Sequence, residues 1–362
     1  MSAGVVGVDI AYEAVKICGL VKKGARYQLI GLNWAAIPKD SWGADQLKNR
    51  DEIARVLVDA LKTAKPEPIK TTAAVVALPE TAVYSATFSM PALSRAELTQ
   101  ALPFEIGERL AINPDEYYFD YETLSSACQP LGDTVGSPAG SAPTLPRPGP
   151  TTDAGSKTKA LDSARAASKT AAPSQKAGTP QMAVFAVAAK RTLVDSVIDC
   201  LHQAGLTVSG IDIKAGAIIN ALLPRDDKKM RLIVDLGAGT TGIAVGEGKA
   251  IHLISSVPIG TRGLGDNDLA GFQQVAAPIF DELVHATKFF ENRMCPGRKI
   301  EEIIIIGGSA TITGLSEFFT TQTGLKTVVG NPFGQIDTHR YPIPDEFIHK
   351  FADSIGCAMR KF

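Results

Sequence analysis

The sequence lacks the signatures that announce most chemistries. No G-x-x-x-x-G-K-[ST] loop, no H-E-x-x-H helix and no G-x-S-x-G turn occurs in its 362 residues. This excludes a P-loop NTPase, a zincin-type peptidase and a hydrolase with that nucleophile elbow. Cysteine is sparse: Cys18, Cys128, Cys200, Cys295 and Cys357 are far apart, odd in number and form no C-x-x-C. Reduced, mostly buried thiols are therefore expected rather than a disulfide framework. No histidine stands at metal-ligand spacing from a cysteine, and His202, His252, His339 and His349 form no constellation. No apolar run approaches the ~18–20 residues of a membrane span. The chain enters a strand at residue 5 without a basic or apolar leader, so a cytoplasmic protein is expected, with any membrane association through a partner. A net charge of −1 gives no electrostatic footprint for nucleic acid. The one basic cluster, Lys228, Lys229 and Arg231, reads as a solvated turn. Residues 125–180 contain no Phe, Tyr, Trp or Ile. Such a stretch buries too little apolar surface to offset its chain entropy, so a disordered insertion is expected over about 125–181.

What is present is a plan used twice. Residues 5–10, 14–21 and 27–37 read as three strands with short, antiparallel connections. Ile53, Val56, Leu57, Ala60 and Leu61 mark the apolar stripe of a helix over 45–64, and 72–78 is a buried strand. The same order returns later. Strands at 232–234, 242–245 and 250–257 precede a helical region over 269–294, broken near Pro278, and a buried strand at 303–306. Each copy opens on a strand that ends in a carboxylate, Asp9 and Asp235. Between the copies lie strands at 82–90, 117–124, 182–189 and 207–213. They alternate with helices at 191–204 and 215–223 and with one opened by the capping box Ser94–Glu97, which has Leu98, Leu102 and Ile106 on its apolar side. A last strand at 325–329 precedes a helix over 344–360. That helix has Phe347, Phe351, Ile355, Met359 and Phe362 near one face, a pattern that suits either core packing or a membrane surface.

Residues 234–241, Val-Asp-Leu-Gly-Ala-Gly-Thr-Thr, carry the clearest chemistry. A turn of small residues between two buried strands exposes backbone N–H groups with no side chain in the way, which suits an anionic phosphate. Asp235, at the strand end, is placed to hold a Mg²⁺ ion or to orient a water.

Three stretches taken together resemble the actin-like ATPase superfamily. Val6-Gly7-Val8-Asp9-Ile10 through Val15-Lys16 resembles its first phosphate loop, and Asp235 to Thr241 its second. Ile305-Ile306-Gly307-Gly308-Ser309 through Leu315 resembles its adenosine motif. Within the superfamily the chain is similar to the PilM family of type IV pilus assembly, related to FtsA. The likeness rests on Met90-Pro91-Ala92-Leu93-Ser94, Val187-Ala188-Ala189-Lys190-Arg191, Val257-Pro258-Ile259-Gly260, Gly330-Asn331-Pro332-Phe333 and residues 352–360.

The resemblance implies an α/β fold of two actin-like, ribonuclease H-like βββαβ halves with a small inserted α+β subdomain. The implied division is 1–81 (1A), 82–214 (1C), 215–343 (2A) and a closing helix at 344–362. It implies ATP and Mg²⁺ as ligands. Asp9 and Asp235 would be the metal-side catalytic carboxylates. Gly237, Ala238, Gly239, Thr240 and Thr241 would contact phosphate, Glu282 the ribose or base, and Gly307, Gly308 and Ser309 the adenosine. Two departures argue against efficient turnover. Ala11-Tyr12-Glu13 puts a ring and a carboxylate where the family has small residues, and like charges in a confined site repel. Few residues separate Gly260 from Ile303, so the lid subdomain is expected to be reduced or missing, leaving the cleft open to water. The implied function is a cytoplasmic scaffold of the pilus inner-membrane platform. Its partner would be the N-terminal cytoplasmic tail of a PilN-type bitopic membrane protein, held between the first half and the inserted subdomain, against 83–88 and 94–110. Two other readings share the fold: a sugar-kinase-like phosphotransferase, which needs a sugar pocket between the halves and a catalytic Asp, with no candidate beyond Asp9, and an FtsA-like polymerising protein, which needs an intact lid and a C-terminal membrane helix.

Overall fold

Three antiparallel strands open the chain: β1 (Val5–Ile10), β2 (Ala14–Lys23) and β3 (Arg26–Ala36). The computed structural model describes residues 4–39, 41–124, 128, 134–136, 180–264, 267–339 and 341–360. Helix α1 (Arg50–Thr63) buries Ile53, Ala54, Leu57, Ala60 and Leu61, the stripe expected from the sequence. It begins later than expected because Asn49 adopts a left-handed φ of 53°, which a helix cannot continue through. The residues before it form a loop pinned by Trp42, whose Nε1 donates to Ile10 O at 2.9 Å. After a short β4 (Lys65–Pro66), β5 (Ala73–Leu78) lies parallel to β1.

The chain then builds a separate four-stranded sheet. β6 (Val83–Pro91) leads to α2 (Arg95–Leu110), then β7 (Tyr117–Thr123), β8 (Thr134–Gly136) and β9 (Gln181–Lys190), in the spatial order β7-β9-β6-β8. The capping box is formed: Glu97 Oε2 accepts from Ser94 N at 2.8 Å. Leu98, Leu102, Ile106 and Leu110 pack on Phe88, Val184 and Ala186. The stretch expected to be structureless supplies β8, which pairs with Ser85–Thr87; an open strand edge on β6 offers backbone groups that recruit such a segment. Apart from β8, Cys128, Pro180 and Gln181, the expected disordered insertion lies outside the described residues. Helix α3 (Arg191–Gln203) packs on α1, and β10 (Thr207–Ile213) returns to the first sheet, parallel to β5.

Helix α4 (Lys214–Leu222) leads to the second copy of the plan: β11 (Arg231–Leu236), β12 (Thr241–Glu247) and β13 (Ala250–Val257), then α5 (Leu269–Val275), α6 (Ala277–Phe289), β14 (Glu302–Gly307), α7 (Leu315–Thr323) and β15 (Thr327–Val329). The order β13-β12-β11-β14-β15 repeats β3-β2-β1-β5-β10, with the same antiparallel and parallel pairings. Among the described residues no strand lies between β13 and β14, so the lid expected to be reduced has no sheet there.

β16 (Ile336–Asp337) extends the first sheet beside β3. The closing helix is two pieces, α8 (Asp345–Ile348) and α9 (Ala352–Met359), where one was expected. The break has a cause. His349 O accepts from Gly307 N at 3.1 Å and its Nδ1 bonds Gly330 O at 2.7 Å, so this residue is committed to the second sheet. α9 is buried on every side. A Cβ on Gly7 would lie 1.8 Å from Ser354 O, and one on Gly356 1.7 Å from Ala217 O. Only glycine lets β1, α9 and α4 approach this closely.

The thiols depart from expectation. Cys128 and Cys295 form a disulfide across 167 residues, and Cys18, Cys200 and Cys357 are free and buried. Sequence spacing carries no sign of a pairing made by long-range folding.

Candidate functional site

β1 and β11 occupy equivalent places in the two sheets, and both end beside one cleft of about 1310 Å³. Each is a buried run whose end is a carboxylate: Asp9 is 2% and Asp235 8% exposed. Gly237, Ala238, Gly239, Thr240, Gly307 and Gly308 also line the cleft. Three of the expected site residues do not. Thr241 turns inward and donates to Ile259 O at 2.8 Å. Glu282 faces β13, accepting from Ser255 Oγ at 2.6 Å. Ser309 sits past the turn and is not among the lining residues.

The floor is an ion network that sequence reasoning missed. Lys16, the register partner of Asp9, lies 2.7 Å from Asp9 Oδ2 and 2.9 Å from Asp353 Oδ2. Lys214 lies 2.7 Å from Asp235 and 3.7 Å from Asp353. Burial, reinforced by the charge of Asp353, raises the Asp9 carboxyl above its ordinary value despite both lysines. Burial acts the same way on Asp353, but there Lys16 and Lys214 outweigh it and hold the carboxyl low. Lys16 loses solvation on burial, yet Asp353 and Asp9 raise it to about 12. Glu80 lines the same cleft and is pushed up to about 7 by burial, against the pull of Lys214. Lys16 was legible as the end of the first phosphate loop. Asp353 had one signal, a lone carboxylate in the otherwise apolar α9.

The two phosphate turns meet. Gly237 N donates to Thr240 O at 3.1 Å, closing the β11–β12 turn. Thr261 N and Arg262 N donate to Gly237 O and Ala238 O at 3.0 and 2.9 Å, strapping residues 260–262 beneath it. The Tyr12 ring lies over Gly239, 3.6 Å from where a Cβ would stand. Arg262 sits 5.2 Å from the Tyr12 ring centre and 2.8 Å from Glu13 Oε1. The repulsion expected from Glu13 is thereby corrected, because a guanidinium matches its charge at the rim. Gly307, at φ 100°, lets β14 close on β11: a Cβ there would lie 2.5 Å from Leu236 O.

These residues suit a phosphate chain, with two lysines and glycine-rich turns around it. They suit Mg²⁺ less directly, since Asp9 and Asp235 are each already matched to an ammonium. A hard cation that keeps most of its waters would meet them through those waters.

A second concavity, of about 630 Å³, separates β7 from β10. β7 is an edge of the four-stranded sheet and β10 an edge of the first sheet. Val83, Phe119, Phe185, Val187, Ile198 and Ile211 give it an apolar lining, with Glu122, Asp212 and Arg360 at one end. Arg360 donates to Asp212 Oδ1 at 2.9 Å. Val83, on one of the two segments expected to flank a partner tail, lines this concavity; α2, the other, packs on Phe88.

A family model described as type IV pilus assembly protein PilM matches residues 7–134 and 269–362, more than half of the chain. The interval between them contains the Asp235 turn. Against curated protein sequences the chain has no significant match. Among solved structures it is similar to the PilM-PilN type IV pilus biogenesis complex, with a TM-score of 0.72 and 18% identity over 99% of this chain and 98% of that one. It is also similar to the ethanolamine utilization protein EutJ from Carboxydothermus hydrogenoformans, with a TM-score of 0.50 and 14% identity over 99% of this chain and 90% of that one. At these identities the likeness is one of fold, the actin-like ATPase fold. The chain belongs to the PilM family of type IV pilus assembly proteins.

Proposed function

We propose that this protein is a cytoplasmic scaffold of the type IV pilus inner-membrane platform, and that it holds the N-terminal cytoplasmic tail of a PilN-type single-span protein. The observation that carries this reading is the groove between β7 and β10. Among the described residues each of these strands pairs on one side only. A short extended segment laid there gains main-chain hydrogen bonds from a sheet edge and apolar pockets for alternate side chains. Asp212 and Arg360, and Glu122 with its carboxyl raised chiefly by burial, supply polar contacts at one end of the groove. Recruitment by such a tail brings to the membrane a chain in which no described helix is long and apolar enough to cross it.

ATP is the ligand proposed for the cleft, as a structural or switching ligand rather than a substrate turned over quickly. When bound, its phosphate chain supplies the negative charge that the two halves share. Lys16 and Lys214 would face it from below, and Ala238 and Gly239 of the turn would offer backbone N–H groups. Asp9 and Asp235 would orient the hydrated Mg²⁺. Slow turnover is consistent with the lysine-matched carboxylates and the absence of a lid sheet among the described residues.

Two measurements test the reading. The immobilised tail of a PilN-type protein is expected to retain the full chain, whereas a sugar kinase would show no such capture. Calorimetry with Mg·ATP is expected to show binding that Asp235→Ala weakens. If the tail is not retained, the scaffold reading fails, whatever the heats with ATP.

A further inference from the structure

One buried cluster serves neither the cleft nor the groove. Cys128 lies between β7 and β8, His252 on β13, and Cys295 just after the helical turn that follows α6. They are 1%, 1% and 0% exposed. One donor atom from each lies within 4.8 Å of the others. Among the described residues neither ring nitrogen of His252 has a hydrogen-bond partner. A buried polar group left unpaired costs ~1–3 kcal/mol, so an idle imidazole beside two sulfurs asks for an explanation. Burial lowers its pKa to about 4, which leaves the ring neutral and able to donate a lone pair. Its nearest charged neighbour is Glu247, whose Oε2 is 3.8 Å from Nε2 and 3.2 Å from Arg298 Nη1. Phe290 packs edge-on at 5.9 Å, and Met294 belongs to the same apolar surround.

We propose that the reduced chain binds one zinc ion, or another borderline-soft divalent transition metal, through Cys128 Sγ, Cys295 Sγ and a ring nitrogen of His252, and that the disulfide is the metal-free, oxidised form of this site. Two thiolates and an imidazole are the donors such ions prefer, with a fourth position left for water or a carboxylate. Glu247 Oε2, 3.8 Å from Nε2, is the nearby carboxylate that would have to close in to orient a ligating imidazole through its other nitrogen. Zn–S bonds of about 2.3 Å and Zn–N bonds of about 2.0–2.1 Å need donors on the order of 3.5 Å apart around a tetrahedral centre. The donor atoms lie within 4.8 Å of one another, and on reduction the two sulfurs would have to rotate apart to admit the ion.

The chemistry balances with a dithiol reductant. It delivers two electrons and two protons to the Cys128–Cys295 bond and is itself oxidised to a disulfide. The metal ion then displaces the two thiol protons, so each ion bound releases two protons. In both states the inserted subdomain is tied to the second half, covalently in one and through the metal in the other.

The test uses the full-length protein. It is reduced with a phosphine, freed of excess reagent, incubated with Zn²⁺, desalted and assayed for metal by mass spectrometry. One equivalent per chain is expected in the reduced protein and none after diamide oxidation, a comparison that needs no variant. Co²⁺ in place of Zn²⁺ is expected to give a thiolate charge-transfer band and tetrahedral d–d bands. Cys295→Ser and His252→Gln are each expected to weaken affinity at least about tenfold, whereas His285→Gln, on the surface, leaves it unchanged. Retention of no metal by the reduced chain, equal retention by the oxidised chain, or a cobalt spectrum without thiolate bands would each overturn the proposal.

Discussion

At the scale of single residues, the cleft is governed by two lysines among three aspartates. Lys16→Met leaves Asp9 and Asp353 buried without their nearest ammonium. Removing one partner of a buried ion pair costs ~3–5 kcal/mol. A fall of that order is expected in urea denaturation at pH 8, and a smaller one at pH 5, where a carboxyl freed of its cation takes up a proton. Glu80 gives the second prediction. Its pKa is raised in the folded chain, to about 7 from the ordinary 4.5, so the folded state holds its proton more tightly. The stability this contributes is present below pH 4.5 and is lost as pH rises through 7. Wild type is therefore expected to lose up to ~2 kcal/mol relative to Glu80→Gln across that window, the figure being reduced for partial exposure. Equal slopes for the two proteins would contradict it. Asp9 and Asp235 were legible because a carboxylate closing a buried strand breaks the apolar pattern. Lys214, Asp353 and the Cys128–His252–Cys295 cluster were not, because each is assembled by contacts between distant parts of the chain. Glu282 bonds Ser255 of β13 and does not line the cleft, because a helix position alone does not say which sheet it faces.

At the scale of elements, periodicity gave the strands and the stripe of α1, since burial on one face leaves its mark every second or every third-to-fourth residue. It gave α8 and α9 as one helix because the apolar spacing runs through the break, whereas the carbonyl of His349 is claimed by β14. α9 is the element most sensitive to substitution. Gly356→Ala would set a methyl 1.7 Å from Ala217 O, backbone that cannot swing aside. Overpacking costs ~1–3 kcal/mol or more. A lowered melting temperature is expected, together with weaker ATP binding, since α9 carries Asp353 beneath the cleft. An unchanged melting curve would show that β1, α9 and α4 part easily.

At the scale of the whole molecule, two copies of one sheet plan share a charged cleft, and the inserted sheet meets the first sheet along a groove between their edges. The duplication was legible from strand order and from the paired aspartates. The concavity between β7 and β10 was not, because sequence does not say which sheet edges come to face each other. The cleft and the groove are lined by different residues and are expected to respond separately to substitution. Val187→Arg and Ile211→Arg, both on the groove, are expected to abolish tail binding and leave the heat of Mg·ATP binding as in wild type. Loss of both activities together would mean that the variants disturb the fold as a whole. The central claim is that a partner tail adds to an open sheet edge, and amide hydrogen exchange tests it most directly. With a saturating PilN-type tail peptide, exchange is expected to slow at the amides of β7 or β10 that face the groove, with little change in α2. Protection confined to α2 or to the cleft, or absent altogether, would contradict the account.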